Sequence, residues 1–197
     1  MLGNEFEMSF FQGQERLVTM KNLLVAQSGG PSAAINATLA GVVEKAMTNQ
    51  NVGKIYGAKN GIMGILTDKL IDLTETLADP ETLQLLCQTP SSALGSCRMK
   101  LSDWEESTFE YDKILGIFRK YDIGYFVYIG GNDSMDTVAK LSAYCKEKGV
   151  EDIKVIGGPK TIDNDLCGID HCPGFGSAAK YISTVFCELE QEITVYE

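Results

Sequence analysis

The chain has 197 residues, which is enough for one α/β domain with a sizeable core. It contains 17 basic and 27 acidic residues, and the resulting net charge of −10 argues against a general nucleic-acid binder. Such proteins neutralise phosphates with clustered lysine and arginine. The single histidine, His171, makes a histidine-based triad or a multi-histidine metal site improbable.

The termini and the cysteines indicate a cytoplasmic protein. No apolar stretch is long enough to span a membrane, and residues 1–20 carry acids early and lack the apolar region of a secretory signal. We therefore expect residues 1–20 to be an extension and residues 21–197 to form one lobe. The six cysteines lack CxxC spacing and are expected to be free thiols. The segment 167–172 could supply three metal ligands, but its spacing is not that of a zinc site, and buried thiols in a loop are the favoured interpretation.

The first half of the chain alternates between strand and helix patterns. A short apolar run predicts a buried parallel strand over 22–27, followed by a helix over about 33–49. A second strand is predicted over 54–58, and residues 67–103 are mixed. The next helix presents an apolar inner face, made by Ile114, Ile117, Phe118 and Tyr121.

The second half continues the alternation. Strands are predicted over 124–129 and 153–156, with a helix between them that buries Val138, Leu141 and Cys145. A last helix over about 176–191 is expected to bury four apolar side chains, namely Ile182, Val185, Phe186 and Leu189. Residues 193–197 are predicted to begin one more strand.

This order of elements predicts the fold class and the location of a site. Strands that alternate with helices imply a mainly parallel sheet with helices on both faces. Ligands of such sheets bind at the carboxyl ends of the strands. Three strands here end in glycine-rich polar loops, and this convergence is the main functional signal in the sequence.

Two of these loops have the composition of an anion site. Ser28-Gly29-Gly30 joins a strand to a helix, where backbone N–H groups and the helix dipole favour an anion. It matches neither the P-loop nor the dinucleotide fingerprint, and a plain tight turn is the alternative. Gly130–Ser134 repeats the design and predicts a second phosphate cradle with Asp133 near a cation. Alternatively, Asp133 or Ser134 caps the next helix.

The segment 159–165 is the most informative. It places Asp163, Asp165 and an amide in one loop beside Lys160, a composition suited to Mg²⁺ ligation or proton abstraction next to phosphate. The alternative is a polar loop whose acids bond to turn backbone. Arg98 follows a Gly-Ser-Cys run and could bind phosphate in a forked geometry, although a surface arginine is the ordinary alternative.

Together these motifs resemble the phosphofructokinase family. The matching segments, in family order, are SGGPSAAIN (28–36), NGIMGIL (60–66), SSALGSCR (91–98), YIGGNDSMDT (128–137), GGPKTIDND (157–165) and HCPGFGSAAKYI (171–182). The resemblance implies a three-layer Rossmann-like lobe and phosphoryl transfer to the 1-hydroxyl of fructose 6-phosphate with Mg²⁺.

The resemblance also implies roles for individual residues. Asp163 would be the general base, Thr161 would contact the sugar phosphate or the transferred group, and Asp165 would help to hold Mg²⁺. The phosphoryl donor would be held by a larger set, made of Gly29, Gly30, Arg98, Gly131, Asn132, Asp133, Ser134 and Lys160. Asp133 would be the second metal ligand.

Two positions concern the donor. ATP-using relatives have glycine where this chain has Asp133 and Lys160, so the chain resembles the pyrophosphate-dependent branch. Asp133 would obstruct the nucleotide, and Lys160 would supply a cation to a short donor. Asn132 stands where the family usually has an aspartate, so that either Asp133 takes the metal or the metal is held more weakly.

The resemblance extends to only part of the family's site. No Met-Gly-Arg motif is present, because Met63-Gly64 is followed by Ile65, and most of the acceptor site is expected to be absent. One interpretation is a fragment of a reversible pyrophosphate-dependent enzyme that is homo-oligomeric when complete. The others are a phosphate-binding module without turnover and an ATP-dependent lobe. If a second lobe normally packs here, the isolated chain should associate.

Overall fold

A computed structural model of the protein describes residues 20–32 and 34–196. Its centre is a five-stranded sheet with the order β3-β2-β1-β4-β5, in which only β3 runs antiparallel to its neighbour. The strands are β1 Lys21–Gln27, β2 Val52–Ala58, β3 Leu70–Asp72, β4 Ile123–Gly130 and β5 Lys154–Pro159. The predicted mainly parallel α/β architecture is confirmed.

Seven helices connect or follow the strands in the described part of the chain. They are α1 Ile35–Met47, α2 Ile62–Leu66, α3 Leu73–Thr76, α4 Pro80–Gln88, α5 Phe109–Lys120, α6 Asn132–Glu147 and α7 Phe175–Thr194. The extension predicted for residues 1–20 lies outside the described residues except for Met20.

The two faces of β1 explain the three layers. Because successive side chains on a strand point to opposite faces, Leu24 and Ala26 pack with α2, α5 and α6, whereas Leu23 and Val25 pack with α1 and α3. Both clusters are almost completely removed from water. The sheet is thus covered on both faces, as the continuous apolar run of β1 predicts.

Two predicted loops belong partly to regular elements. β5 continues through Gly157 and Gly158 to Pro159, because these residues remain paired with β4. A Cβ at Gly157 would lie 2.6 Å from the sulfur of Met135, so glycine here lets α6 approach the sheet. Similarly, α6 begins at Asn132, so residues 132–134 form its first turn and not a loop.

The predictions for the end of the chain are wrong in two respects. The last helix exists, but it extends to Thr194 and none of its residues is buried. Ile182 is 52% exposed and Phe186 is 68% exposed. The apolar periodicity identified side chains that share a face, but it contained no information about whether another element covers that face.

The second error concerns the predicted strand over 193–197. Through residue 196 the backbone instead continues helical turns, since the Val195 N–H donates to Glu192 and the Tyr196 N–H donates to Ile193. Isoleucine, threonine, valine and tyrosine favour strands only when a neighbouring strand is available, and the continued helical hydrogen bonding outweighs that preference here.

Further features of the described residues bear on the sequence predictions. All six cysteines are free thiols, but only Cys145 and Cys172 are buried, whereas Cys167 is exposed. Within residues 20–32 and 34–196, no group of three or more histidine, cysteine or acidic side chains is arranged to hold a metal ion. No helix in that part of the chain is both long and apolar enough to cross a membrane.

Candidate functional site

The three glycine-rich turns lie side by side at one edge of the sheet, as predicted. The ends of β1 and β4 are joined by the Ser28 N–H, which donates to Ile129 over 2.8 Å. The ends of β4 and β5 are joined by the Lys160 N–H, which donates to Gly130 over 2.9 Å. Parallel pairing therefore brings the turn after β1 together with two turns that lie 100 or more residues later in the chain.

A cavity of about 660 Å³ opens at this edge. Eight predicted site residues line it, namely Gly29, Gly30, Arg98, Gly131, Asn132, Lys160, Thr161 and Asp163. A smaller adjoining cavity of about 330 Å³ shares several of these residues and adds Ser134 and Asp133. Asp165 lines neither cavity.

The Lys160 side chain lies across the first glycine turn. Its ammonium group donates a hydrogen bond to the carbonyl oxygen of Gly30. A Cβ at Gly29 would lie 3.2 Å from the same nitrogen, and Gly29 has φ +76°. Glycine at position 29 therefore permits both the left-handed turn and the close approach of Lys160.

Burial lowers the pKa of Lys160 from its ordinary value of 10.5, and the nearby carboxylate of Asp163 opposes that shift. Desolvation disfavours the ammonium ion, whereas a negative charge stabilises it. An ammonium group has three donors, of which Gly30 takes one. The cavity therefore contains a partly desolvated cation with unused donors, which an anion would stabilise.

The loop that precedes Arg98 is bonded to the same turn. The Ser96 hydroxyl donates to the Gly29 carbonyl. The Cys97 carbonyl accepts from the Ser28 hydroxyl over 3.1 Å and from the Gly29 N–H over 3.4 Å. These bonds place Arg98 in the lining of both cavities.

Comparisons with known proteins show the family of the chain. Residues 22–195 match the family model described as phosphofructokinase. The chain belongs to the phosphofructokinase family.

Three relatives show which members of the family the chain is similar to. It is 48% identical to the pyrophosphate–fructose 6-phosphate 1-phosphotransferase of Xanthomonas campestris, over 83% of this chain and 38% of that protein. It is 46% identical to the enzyme of the same name from Methylococcus capsulatus, with the same two coverages. A crystal structure of the pyrophosphate-dependent phosphofructokinase from Nitrosospira multiformis matches with a TM-score of 0.75 and 44% identity, over 88% of this chain and 42% of that chain. The chain thus spans about two fifths of the length of these phosphofructokinases.

The acidic loop brings two of the predicted side chains to the cavity. The Thr161 hydroxyl oxygen accepts from the Asp163 N–H over 3.0 Å, which ties the two residues into one turn. Asp163 lines both cavities, and its side chain is exposed. Asp165 connects to the site indirectly, since its Oδ2 accepts from the Asn132 amide over 2.8 Å.

Asp133 lies at the rim and already has a protein partner. Its carboxylate is 2.8 Å from the Lys100 ammonium group, and both side chains are about two-thirds exposed. Ser134 is almost completely buried beneath the glycine turn. Neither side chain caps α6, whose N-cap is Gly131 without a side-chain hydrogen bond, so that alternative is wrong.

Two helices begin at the cavity. α6 begins directly after Gly131 and α7 directly after Gly174, and neither has a side-chain cap at its N-terminus. Uncapped N–H groups and the positive end of the helix dipole both favour an anion. The dipoles therefore add to the positive potential of Arg98 and Lys160 in an otherwise acidic protein.

Sequence reasoning missed the contribution of α7. Its first turns supply Ser177, Ala178 and Tyr181 to the cavity wall, preceded by Pro173 and Gly174. The segment 171–182 carried part of the family resemblance but had no predicted role. The signal available in the sequence was the glycine at position 174, directly before the helix. In the structure Gly174 has φ +91°, a left-handed conformation that favours glycine.

Proposed function

We propose that this chain is the donor-binding lobe of a pyrophosphate-dependent phosphofructokinase. The complete protein would transfer a phosphoryl group reversibly from pyrophosphate to the 1-hydroxyl of fructose 6-phosphate, a cytoplasmic reaction of glycolysis, and would be a homo-oligomer. The names of the relatives at 44–48% identity support this choice of reaction.

The observation that carries the proposal is the position of Lys160. Its ammonium group lies against the Gly29-Gly30 turn and lines the cavity. A cation at this place suits a short, highly charged donor, because it can bind a phosphate oxygen directly. The same side chain takes up space that the longer nucleotide would need.

The remaining residues divide into donor and acceptor roles. The N–H groups at the starts of α6 and α7, with Arg98 and Lys160, would neutralise the two phosphates. Asp163, exposed in the same cavity, would accept the proton of the attacking hydroxyl, and Thr161 would orient the transferred group. Phosphoryl transfer depends mainly on such positioning and charge neutralisation.

The donor set suits Mg²⁺. The ion prefers carboxylate oxygens and usually binds one or two of them, together with substrate phosphates and water. Asp165 and Asp133 would provide such oxygens, although each also has a protein partner, Asn132 and Lys100 respectively. When held by these carboxylates, the ion would supply positive charge that stabilises the negative charge developing during transfer.

A second candidate is a phosphate-binding module without turnover. It is favoured by the cation Lys160 and by the uncapped starts of α6 and α7 at the cavity, which suit an anion whether or not it reacts. The two candidates share the donor cavity and differ only in catalysis, so a rate measurement separates them.

The test is a titration of the 197-residue chain with pyrophosphate and with ATP, each with Mg²⁺, followed by a coupled assay with fructose 6-phosphate. We expect pyrophosphate to bind and ATP to bind at least about tenfold more weakly. We expect no turnover at the ~1–10³ s⁻¹ typical of enzymes. Tighter binding of ATP than of pyrophosphate would overturn the donor assignment, and turnover at such rates would show that the acceptor site is complete.

A further inference from the structure

Directly behind the cavity lies a buried pair of side-chain amides, Gln27 at the end of β1 and Asn36 at the start of α1. Gln27 is 0% exposed and Asn36 is 1% exposed. The Gln27 Nε2 group donates to the Asn36 Oδ1 over 3.0 Å and to the Ile35 carbonyl over 3.2 Å. Neither residue lines either cavity, so the pair is not available to touch a ligand.

The pair binds one loop from inside. The Gln27 Oε1 accepts from the Leu94 N–H over 2.9 Å and from the Ser92 hydroxyl over 3.0 Å. The Asn36 Oδ1 accepts from the Ala93 N–H over 2.9 Å, and its Nδ2 donates to the Thr89 carbonyl, also over 2.9 Å. Four anchor points of an otherwise irregular segment, at residues 89, 92, 93 and 94, thus depend on two side chains.

The same loop continues into the cavity. Two residues after Leu94, Ser96 donates to the Gly29 carbonyl, and the Cys97 carbonyl accepts from the Gly29 N–H. Arg98 follows at once. The loop is therefore held at its root by the buried amides and at its tip by the glycine turn.

We propose that Gln27 and Asn36 are positioning residues that set the place of Arg98 relative to the Gly29-Gly30 turn, and through it the affinity for pyrophosphate. The inference rests on the proposed function for its ligand. It goes beyond that function because it assigns a role to two side chains that contact no substrate.

The chemistry of the amide group explains why these residues suit the task. A glutamine side chain has two donor hydrogens and two acceptor lone pairs. Gln27 uses both donors and accepts from the Leu94 N–H, and its oxygen shares the Ser92 hydroxyl hydrogen with the Gly95 carbonyl. An apolar residue of similar shape would leave the Leu94 N–H without its acceptor in the core and would remove one of the two donors to the Asn36 Oδ1. Because unpaired buried polar groups are costly, the loop would move to find other partners.

The test compares Asn36→Ala and Gln27→Met with the wild-type chain. Amide hydrogen exchange without ligand is measured at Leu94 and Gly29, and pyrophosphate affinity is measured by calorimetry. Ile114→Ala is the matched control, because Ile114 is 0% exposed but lies in the cluster on the opposite face of the sheet. It should lower global stability while leaving the hydrogen bonds of Gln27 and Asn36 in place.

We expect both amide variants to speed exchange at Leu94 and Gly29 and to weaken pyrophosphate binding by about tenfold or more, while the control changes neither beyond about twofold at matched stability. Unchanged exchange at both amides would overturn the inference, and so would faster exchange with unchanged affinity. Failure of the wild-type chain to bind pyrophosphate contradicts the proposed function. In that case the exchange rates still decide whether the pair positions the loop.

Discussion

The ammonium group of Lys160 donates a hydrogen bond to the carbonyl oxygen of Gly30, 130 residues earlier in the chain. This contact joins the end of β5 to the end of β1 across the intervening strand β4. It places one cation of the cavity against the glycine turn at which a phosphate would bind. The donor preference proposed for the chain depends on this relationship.

Replacing Lys160 with methionine should weaken pyrophosphate binding by about 10–100-fold, because a charge-assisted hydrogen bond contributes roughly 1.5–3 kcal/mol. The methionine retains most of the apolar stem, so the change removes chiefly the charge. Calorimetric titration of the 197-residue chain measures the effect. Lys146→Met, at the far end of α6, is the control and should leave the affinity unchanged. Equal affinities for the two variants would show that the Lys160 ammonium group does not contribute to pyrophosphate binding.

Pyrophosphate affinity should also depend on the protonation of Lys160. Its pKa lies below 10.5 because burial disfavours the charged form, and an anionic ligand would raise it again. Binding should therefore take up protons in the window between this lowered pKa and the higher pKa of the complex, and affinity should fall as pH rises through that window.

The stability of the ligand-free protein should change in the opposite sense. Between the lowered pKa of the folded protein and 10.5, the unfolded chain binds more protons at Lys160 than the folded chain does. The contribution of this residue to stability therefore increases with pH in that window.

Calorimetry in two buffers of different ionisation enthalpy measures the proton uptake on binding. Lys160→Met, which reports only the titration of the ligand and of other groups, should lack that contribution. The same uptake in both proteins would exclude Lys160 as its source.

Two glycine-to-alanine substitutions should have opposite effects on stability. A Cβ at Gly64 would lie 1.9 Å from the backbone carbonyl oxygen of Lys59, so Gly64→Ala should destabilise the protein by about 1–3 kcal/mol. Gly116 lies within α5 and a Cβ there would meet nothing within 4 Å. Gly116→Ala should therefore stabilise the protein by about 0.5–1 kcal/mol. Urea unfolding of both variants measures the difference, and a destabilised Gly116→Ala protein would contradict the packing described here.

The apolar face of α7 should make the isolated chain associate. Three apolar side chains of this helix are more than half exposed, namely Ile182, Phe186 and Ile193. Exposed apolar surface of this kind favours association, because association removes it from water. Light scattering at increasing concentration should show oligomers, and Phe186→Lys should shift them toward monomer. The control is Leu85→Lys, since Leu85 is 67% exposed but belongs to a different helix. A monomer at all concentrations would count against the expectation.

The sequence predicted the sheet and most of the site for identifiable physical reasons. The apolar runs of β1 and β4 are long enough to determine buried strands, and parallel strands must present their carboxyl ends at one edge. The turns at Gly29 and Gly131 followed from that rule. Asp133, in contrast, was expected in a loop but lies in the first turn of α6, paired with Lys100.

What the sequence did not predict depends on tertiary contacts. The exposure of Phe186 and the helical course of residues 193–196 depend on which elements pack against them, which a periodic pattern does not specify. The buried pair Gln27–Asn36 was missed because amides at a strand end and a helix start are indistinguishable from ordinary polar residues until the loop over 89–98 folds onto them.

Donor selection by Asp133 and Lys160 is tested by the ratio of pyrophosphate affinity to ATP affinity. This ratio is measured in the wild-type chain and in the double variant Asp133→Gly, Lys160→Gly. Lys146→Met is the control. We expect the wild-type chain and the control to prefer pyrophosphate by at least about tenfold. The double variant should reduce this preference about tenfold or more. An unchanged ratio in the double variant would contradict the claim that Asp133 and Lys160 select the donor.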